Sequence, residues 1–173
     1  MDLQTFKQQI LPVQGRLFRL AKLFLRNREE AEDTLQDVLL KLWTNRQQLD
    51  QYRSVEAMAV QMTRNLCLDK LKSHGYARRT DEADLSLIQA NMGTPHQLTE
   101  SADTAAVVRQ LIQELPEQQR LILHLRDVEE YSFEEIEQVT GISINNIRVA
   151  LSRARKTVRD NYTKVLNYES SGY

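Results

Sequence analysis

The chain has 173 residues, a length for one domain or two small ones. It is 41% hydrophobic and 27% charged, with only 5 Gly and 3 Pro, which argues against a loop-rich or sandwich architecture. One cysteine, Cys67, excludes a disulfide framework and a thiolate zinc site, and no apolar run approaches the ~20 residues that span a bilayer. With no signal-peptide pattern at the N-terminus, this reads as a reducing, cytoplasmic protein. The net charge of −1 hides three blocks. Residues 1–79 carry 14 Lys/Arg against 9 Asp/Glu, residues 80–137 carry 3 against 13, and residues 138–173 carry 6 against 2. Two basic ends around an acidic middle point to two sites for a polyanion.

Phe6, Ile10, Val13, Leu17, Leu20, Ala21 and Phe24 have helical spacing, with a break expected at Pro12 and Gly15. Asn27, with Glu30 three residues on, signals the start of a second helix. Its apolar face is Ala31, Leu35, Val38, Leu39, Leu42 and Trp43. The stretch 45–51 is polar and reads as a loop. Ser54 caps a third helix with Met58, Met62, Leu66 and Leu71 inward, ending near His74-Gly75. Residues 80–100 are acidic, contain the breaker cluster Asn91-Met92-Gly93-Thr94-Pro95, and read as a linker. Helical spacing resumes from Ser101 with Ala105, Val108, Leu111, Ile112 and Leu115. Pro116 suits the first position of the next helix, whose inner face is Leu121, Ile122, Leu125 and Val128.

Ser132-Phe133-Glu134-Glu135 is a capping box opening a helix through Ile136 and Val139 to Gly141. Ser143 then caps a basic helix from Ile144 to about Asn161, with Ile147, Ala150, Leu151, Ala154 and Val158 inward. Two helices about a short glycine turn, the second basic, describe a helix-turn-helix. The DNA-facing candidates are Ser143, Asn145, Asn146, Arg148, Ser152, Arg153, Arg155, Lys156 and Arg159. Asn and Arg match adenine and guanine edges bidentately, and the Arg/Lys run can neutralise phosphates. The early residues Asn145, Asn146 and Arg148 are the base readers of this set. The fold expectation is therefore all-α: two small helical domains, 1–79 and 101–173, joined by the linker 80–100.

Three stretches then resemble, in order, the short two-domain sigma factors of bacterial RNA polymerase, the extracytoplasmic-function kind. Arg28-Glu29-Glu30-Ala31-Glu32-Asp33-Thr34-Leu35-Gln36-Asp37-Val38, running on to Leu42-Trp43, resembles the family's polymerase-binding helix. Arg64-Asn65-Leu66-Cys67-Leu68-Asp69 resembles the helix beside the minus-10 element. Leu115-Pro116-Glu117 through Arg155, with Ser152-Arg153-Ala154-Arg155, resembles the minus-35-binding domain. The resemblance implies a non-catalytic initiation factor without cofactor, metal or small-molecule substrate. It implies core RNA polymerase as partner, through the β′ clamp helices and the β flap, together with promoter DNA and an anti-sigma factor that could hold the chain at the inner membrane. It places Gln36, Asp37, Leu40, Lys41 and Trp43 on the polymerase surface, Trp43 being equally suited to core packing. It places Tyr52, Arg53, Arg64, Asn65, Lys70 and Lys72 at the minus-10 element.

Two positions depart from the family pattern. Met58-Ala59 stands where an aromatic–Leu pair is common, and Glu137 where a small residue usually lets the two helices approach. Glu137 is expected to swing outward, loosening the crossing. A dimeric helix-turn-helix repressor or activator is the competing reading within DNA binding, and it requires two half-sites. A helical adaptor or metal-dependent hydrolase would have to use the acidic clusters Glu29–Asp33 and Glu134–Glu137. Those clusters lie in first helical turns, where the dipole favours anions, and no histidine joins them.

Overall fold

Asp2 starts the first helix. Its Oδ1 accepts the Thr5 N–H at 2.7 Å, satisfying one of the unpaired donors at a helix N-terminus. The computed structural model describes residues 1–73 and 101–171. The chain divides into two compact units, Met1–Ser86 and Leu87–Tyr173. No strand occurs among the described residues, in keeping with the all-α expectation. No helix among them is long and apolar enough to cross a membrane. The predicted helix end at His74-Gly75 and the predicted linker 80–100 lie outside the described residues.

The first unit contains α1 (Leu3–Ile10), a 3-10 turn (Leu11–Val13), α2 (Gln14–Leu25), α3 (Arg28–Thr44), the short α4 (Arg46–Leu49) and α5 (Val55–Lys72). The break between α1 and α2 falls at Pro12, which has no N–H for the α-helical ladder. Arg26 ends α2 in the left-handed region at φ 55°. Asn27 Oδ1 then accepts the Glu30 N–H at 3.1 Å and opens α3. Helix α2 packs on α3, and Leu17, Leu20 and Leu25 of α2 and Val38 and Leu42 of α3 are fully buried. Each such leucine contributes roughly 1.5–3 kcal/mol by leaving water.

Helix α5 presents a different face from the predicted one. Met58, Met62, Leu66 and Leu71 are only partly buried, whereas Ala59, Val60, Thr63 and Cys67 are buried. Ala59, Thr63 and Cys67 recur every four residues and form a low ridge that packs toward α2 and α3. The bulky methionines flank this ridge. Thr63 is tolerated there because its hydroxyl donates to the Ala59 carbonyl at 2.8 Å. The stretch 45–51, predicted as a loop, holds α4, and its one aliphatic residue, Leu49, is fully buried and pins it.

The second unit contains α6 (Ser101–Gln113), α7 (Glu117–Leu123), a π turn (His124–Val128), α8 (Phe133–Thr140) and α9 (Ile144–Ser171). Pro116 is the N-cap of α7, with ψ 145°, one position earlier than expected. Leu121, Ile122 and Leu125 are buried as predicted, but Val128 is half exposed. The wider π turn rotates Val128 off the buried face that a continuous α-helix would have given it. Helix α9 runs 28 residues, well past Asn161. It contains no Gly or Pro to stop it.

Candidate nucleic-acid interface

The helix-turn-helix is assembled by local caps. Ser132 Oγ accepts the Glu135 N–H at 3.1 Å, and Glu135 Oε1 accepts the Ser132 N–H at 3.3 Å, the predicted capping box. Ile136 and Val139 seat α8 in the core. Gly141 ends it at φ 73°, a conformation that costs other residues roughly 1–2 kcal/mol. Ser143 Oγ accepts the Asn146 N–H at 3.3 Å and caps α9. Glu137 is exposed, as expected, but its side chain reaches across the turn. Its Oε2 accepts the Ile144 N–H at 3.1 Å and fastens α8 to the start of α9.

The buried face of α9 is Ile147, Ala150, Leu151 and Ala154. Ser143, Asn145, Asn146, Arg148, Ser152, Arg153, Arg155, Lys156 and Arg159 are all exposed. Three of them also make contacts within the unit. Ser143 is engaged as the helix cap. The Arg148 guanidinium lies 5.3 Å from the Phe133 ring centroid, with Arg126 at 4.5 Å from the same ring. Arg155 donates from Nε to Asp127 Oδ2 at 3.0 Å and from its Nη2 to Oδ1. The hydrogen bond to Asp127 raises the Arg155 pKa above its ordinary value. Asp127, on the π turn, carried no sequence signal for this role. Val149, also exposed on this face, was absent from the sequence candidates, which were chosen for hydrogen-bonding capacity.

In the first unit, Gln36, Asp37, Leu40 and Lys41 lie exposed on α3, and Leu40 is 64% exposed. Trp43 is half-buried. Phe6 meets its ring edge-on at 5.1 Å, and the Arg46 guanidinium lies 4.0 Å from its centroid. Much of Trp43 therefore serves to pack α1, α3 and α4 together. Tyr52 and Arg53 are exposed in the turn before α5. They border an open groove of about 390 Å³ that is also lined by Gln9, Val13, Leu49, Asp50, Val55 and Glu56. Neither α1 nor Glu56 was tied to this turn by any sequence pattern. Arg16 of α2 pairs with Glu56 at the groove.

Asn65 and Lys72 are exposed on α5, and Arg64 is half-buried. Lys70 turns toward α3. Its Nζ donates to Thr34 Oγ1 at 2.7 Å and lies 3.8 Å from Glu30 and 3.9 Å from Asp37. A residue predicted at DNA and one predicted at polymerase thus meet in one polar cluster on α3 and α5.

Comparison with known proteins follows this division. Residues 10–76 match sigma-70 region 2, and residues 105–158 match sigma-70 region 4. The ECF RNA polymerase sigma factor SigE of Mycolicibacterium smegmatis is 27% identical over 150 residues, 86% of this chain and 58% of that protein. The RNA polymerase sigma-H factor of Pseudomonas aeruginosa is 26% identical over 169 residues, 91% of this chain and 86% of that one. Among solved structures, the sigma factor RpoE from Bartonella quintana, in complex with the anti-sigma factor NepR, superposes with a TM-score of 0.67. Its identity is 22%, over 91% of this chain and 96% of that one. With regions 2 and 4 both matched, in that order, and extracytoplasmic-function sigma factors among its relatives, the chain belongs to the sigma-70 family, in its extracytoplasmic-function group.

Proposed function

We propose that the chain is a transcription initiation factor that binds core bacterial RNA polymerase, directs it to two-part promoters and assists duplex opening. In this reading residues 1–79 bind polymerase and the minus-10 element, 80–100 link, and 101–173 bind the minus-35 element. The observation that carries it is the outward face of α9, exposed and, Val149 apart, polar from Ser143 to Arg159, on a chain whose other unit matches sigma region 2.

The N-terminal turns of α9 enter the major groove, where Asn145, Asn146 and Arg148 read base edges and Ser152 contacts the backbone. Arg153, Lys156 and Arg159 neutralise phosphates. Arg155, held by Asp127, fixes how α9 sits on its own domain. The groove beside Tyr52 and Arg53 takes an unpaired base of the minus-10 element, with Tyr52 for stacking and Arg53 for the strand. Arg64, Asn65 and Lys72 hold the backbone beside it, and Lys70 holds α5 to α3. Leu40, ringed by Gln36, Asp37 and Lys41, is the apolar anchor on the β′ clamp helices. Trp43 keeps that helix in place, and the second unit meets the β flap. The factor makes no covalent bonds itself and acts in the cytoplasm. An anti-sigma protein, the class of partner crystallised with the Bartonella relative, covers it between signals.

The test is binding to core polymerase followed by transcription from a promoter library. Saturable one-to-one binding, weakened about tenfold or more by Leu40→Ala at unchanged thermal stability, supports the reading. A chain that ignores polymerase and binds duplex DNA as a dimer overturns it.

A further inference from the structure

The outward face of α9 carries one aliphatic side chain at its centre. Asn145, Val149, Ser152 and Lys156 follow one another at i, i+4, i+7 and i+11 and form one stripe along the helix. All are exposed. At about 100° per residue, Val149 lies about 150° from the middle of the face formed by Ile147, Ala150, Leu151 and Ala154. It is 47% exposed. A β-branched residue here loses rotamer freedom on the helix and covers no core in exchange.

The rest of the stripe and its flank are chemistries for hydrogen-bonding to nucleic acid. Asn145, one turn earlier, carries the amide that matches adenine N6 and N7. Arg153, one turn later, carries the guanidinium that matches guanine or phosphate. An aliphatic side chain between them is suited to the one major-groove feature that no hydrogen bond reads, the C5-methyl of thymine. We propose that Val149 is a specificity-determining residue that packs its methyls against the C5-methyl of one thymine in the element read by α9. The inference rests on α9 being the base-reading helix. Asn145 and Val149 are about 6 Å apart along the helix axis, so this thymine lies within about two base pairs of the base met by Asn145.

The experiment removes the methyl from the DNA. The full-length chain is assembled with core polymerase on a promoter it has selected from a random library. Each thymine of the upstream element, on either strand, is replaced in turn by deoxyuridine, which keeps every hydrogen-bonding group. For the unaltered protein, one replacement weakens binding about three- to fivefold, the size expected for one buried methyl. Val149→Ala binds the thymine promoter more weakly by a similar factor and does not respond to that replacement. Its unfolding temperature, close to that of the parent, confirms that α9 is intact. Equal binding of all the deoxyuridine promoters, or a Val149→Ala protein as methyl-sensitive as the parent, overturns the proposal. If Asn145→Ala relaxes base preference while no thymine is methyl-sensitive, only the role of Val149 fails. A holoenzyme without base preference in that element overturns this role and the reading of α9 together.

Discussion

Arg155 and Asp127 face each other as a two-pronged pair, Nε to Oδ2 at 3.0 Å. By residue type alone, Arg155 belongs with Arg153 and Lys156 as a phosphate ligand. In the proposed reading its pair with Asp127 ties it to the π turn instead. Arg155→Ala is expected to lower stability by about 0.5–1 kcal/mol, the range of a well-aligned exposed pair. It should leave the salt dependence of promoter binding nearly unchanged. Arg153→Ala should do the reverse, reducing the slope of log K against log salt by about 1. Thermal unfolding and a salt titration of holoenzyme–promoter binding separate the two.

Glu137 holds the first N–H of α9 and places a carboxylate at the turn that carries Asn145 and Asn146, the residues proposed to read bases. Glu137→Ala removes the acceptor and should cost about 0.5–1 kcal/mol, as for a lost helix cap. Glu137→Gln keeps an acceptor and removes the charge. It should recover most of that stability and tighten promoter binding about two- to fivefold at low salt, the gain fading as salt screens it. Equal promoter affinity for the parent and the Gln variant at low salt would show that the charge does not reach the DNA.

Glu130 lies at φ 60°, in the left-handed region, as Gly141 does at φ 73°. Only one of them is a residue suited to it. Glu130→Gly should therefore stabilise the second unit by about 0.5–1 kcal/mol. Gly141→Ala should destabilise it by about 1–2 kcal/mol, although no atom lies within 4 Å of an added Cβ. Chemical denaturation of the paired variants reads the opposite signs directly.

Cys67 is buried, and burial pushes its thiol from 9.0 up to about 12. The folded state therefore favours the protonated form. This contribution to stability is whole below pH 9 and is lost as pH rises from 9 toward 12. Thiol-specific reagents at pH 8 should label the folded chain about a thousandfold more slowly than a free thiol of ordinary pKa. Urea should abolish the difference. Stoichiometric labelling within seconds under native conditions would contradict the burial.

Caps and turns were the most legible part of the sequence. Asn27, Ser54, Ser132 and Ser143 each cap the helix assigned to them, because a cap depends on residues within a turn of it. Cys67 was read as a small core residue, as it is, but the rest of the α5 face was misread because side-chain size stood in for burial. Ala59, Thr63 and Cys67 are buried through close helix approach, a property of the neighbouring helices as much as of α5. The exposed face of α9 was legible from its charge. Its ion pairing was not, since Arg155 pairs with an aspartate 28 residues away. The groove at Tyr52 was hidden for a similar reason, because α1 supplies Gln9 to its wall from more than 40 residues upstream.

Helix α9 continues without a glycine or proline from Asn145 to Tyr168, so its two ends are mechanically one body. At about 1.5 Å per residue, the part beyond Arg159 is a lever close to 18 Å long. Tyr168 stands at its far end, 81% exposed. With no glycine or proline between them, a partner that seats the tail also sets the pitch of the residues proposed to read bases.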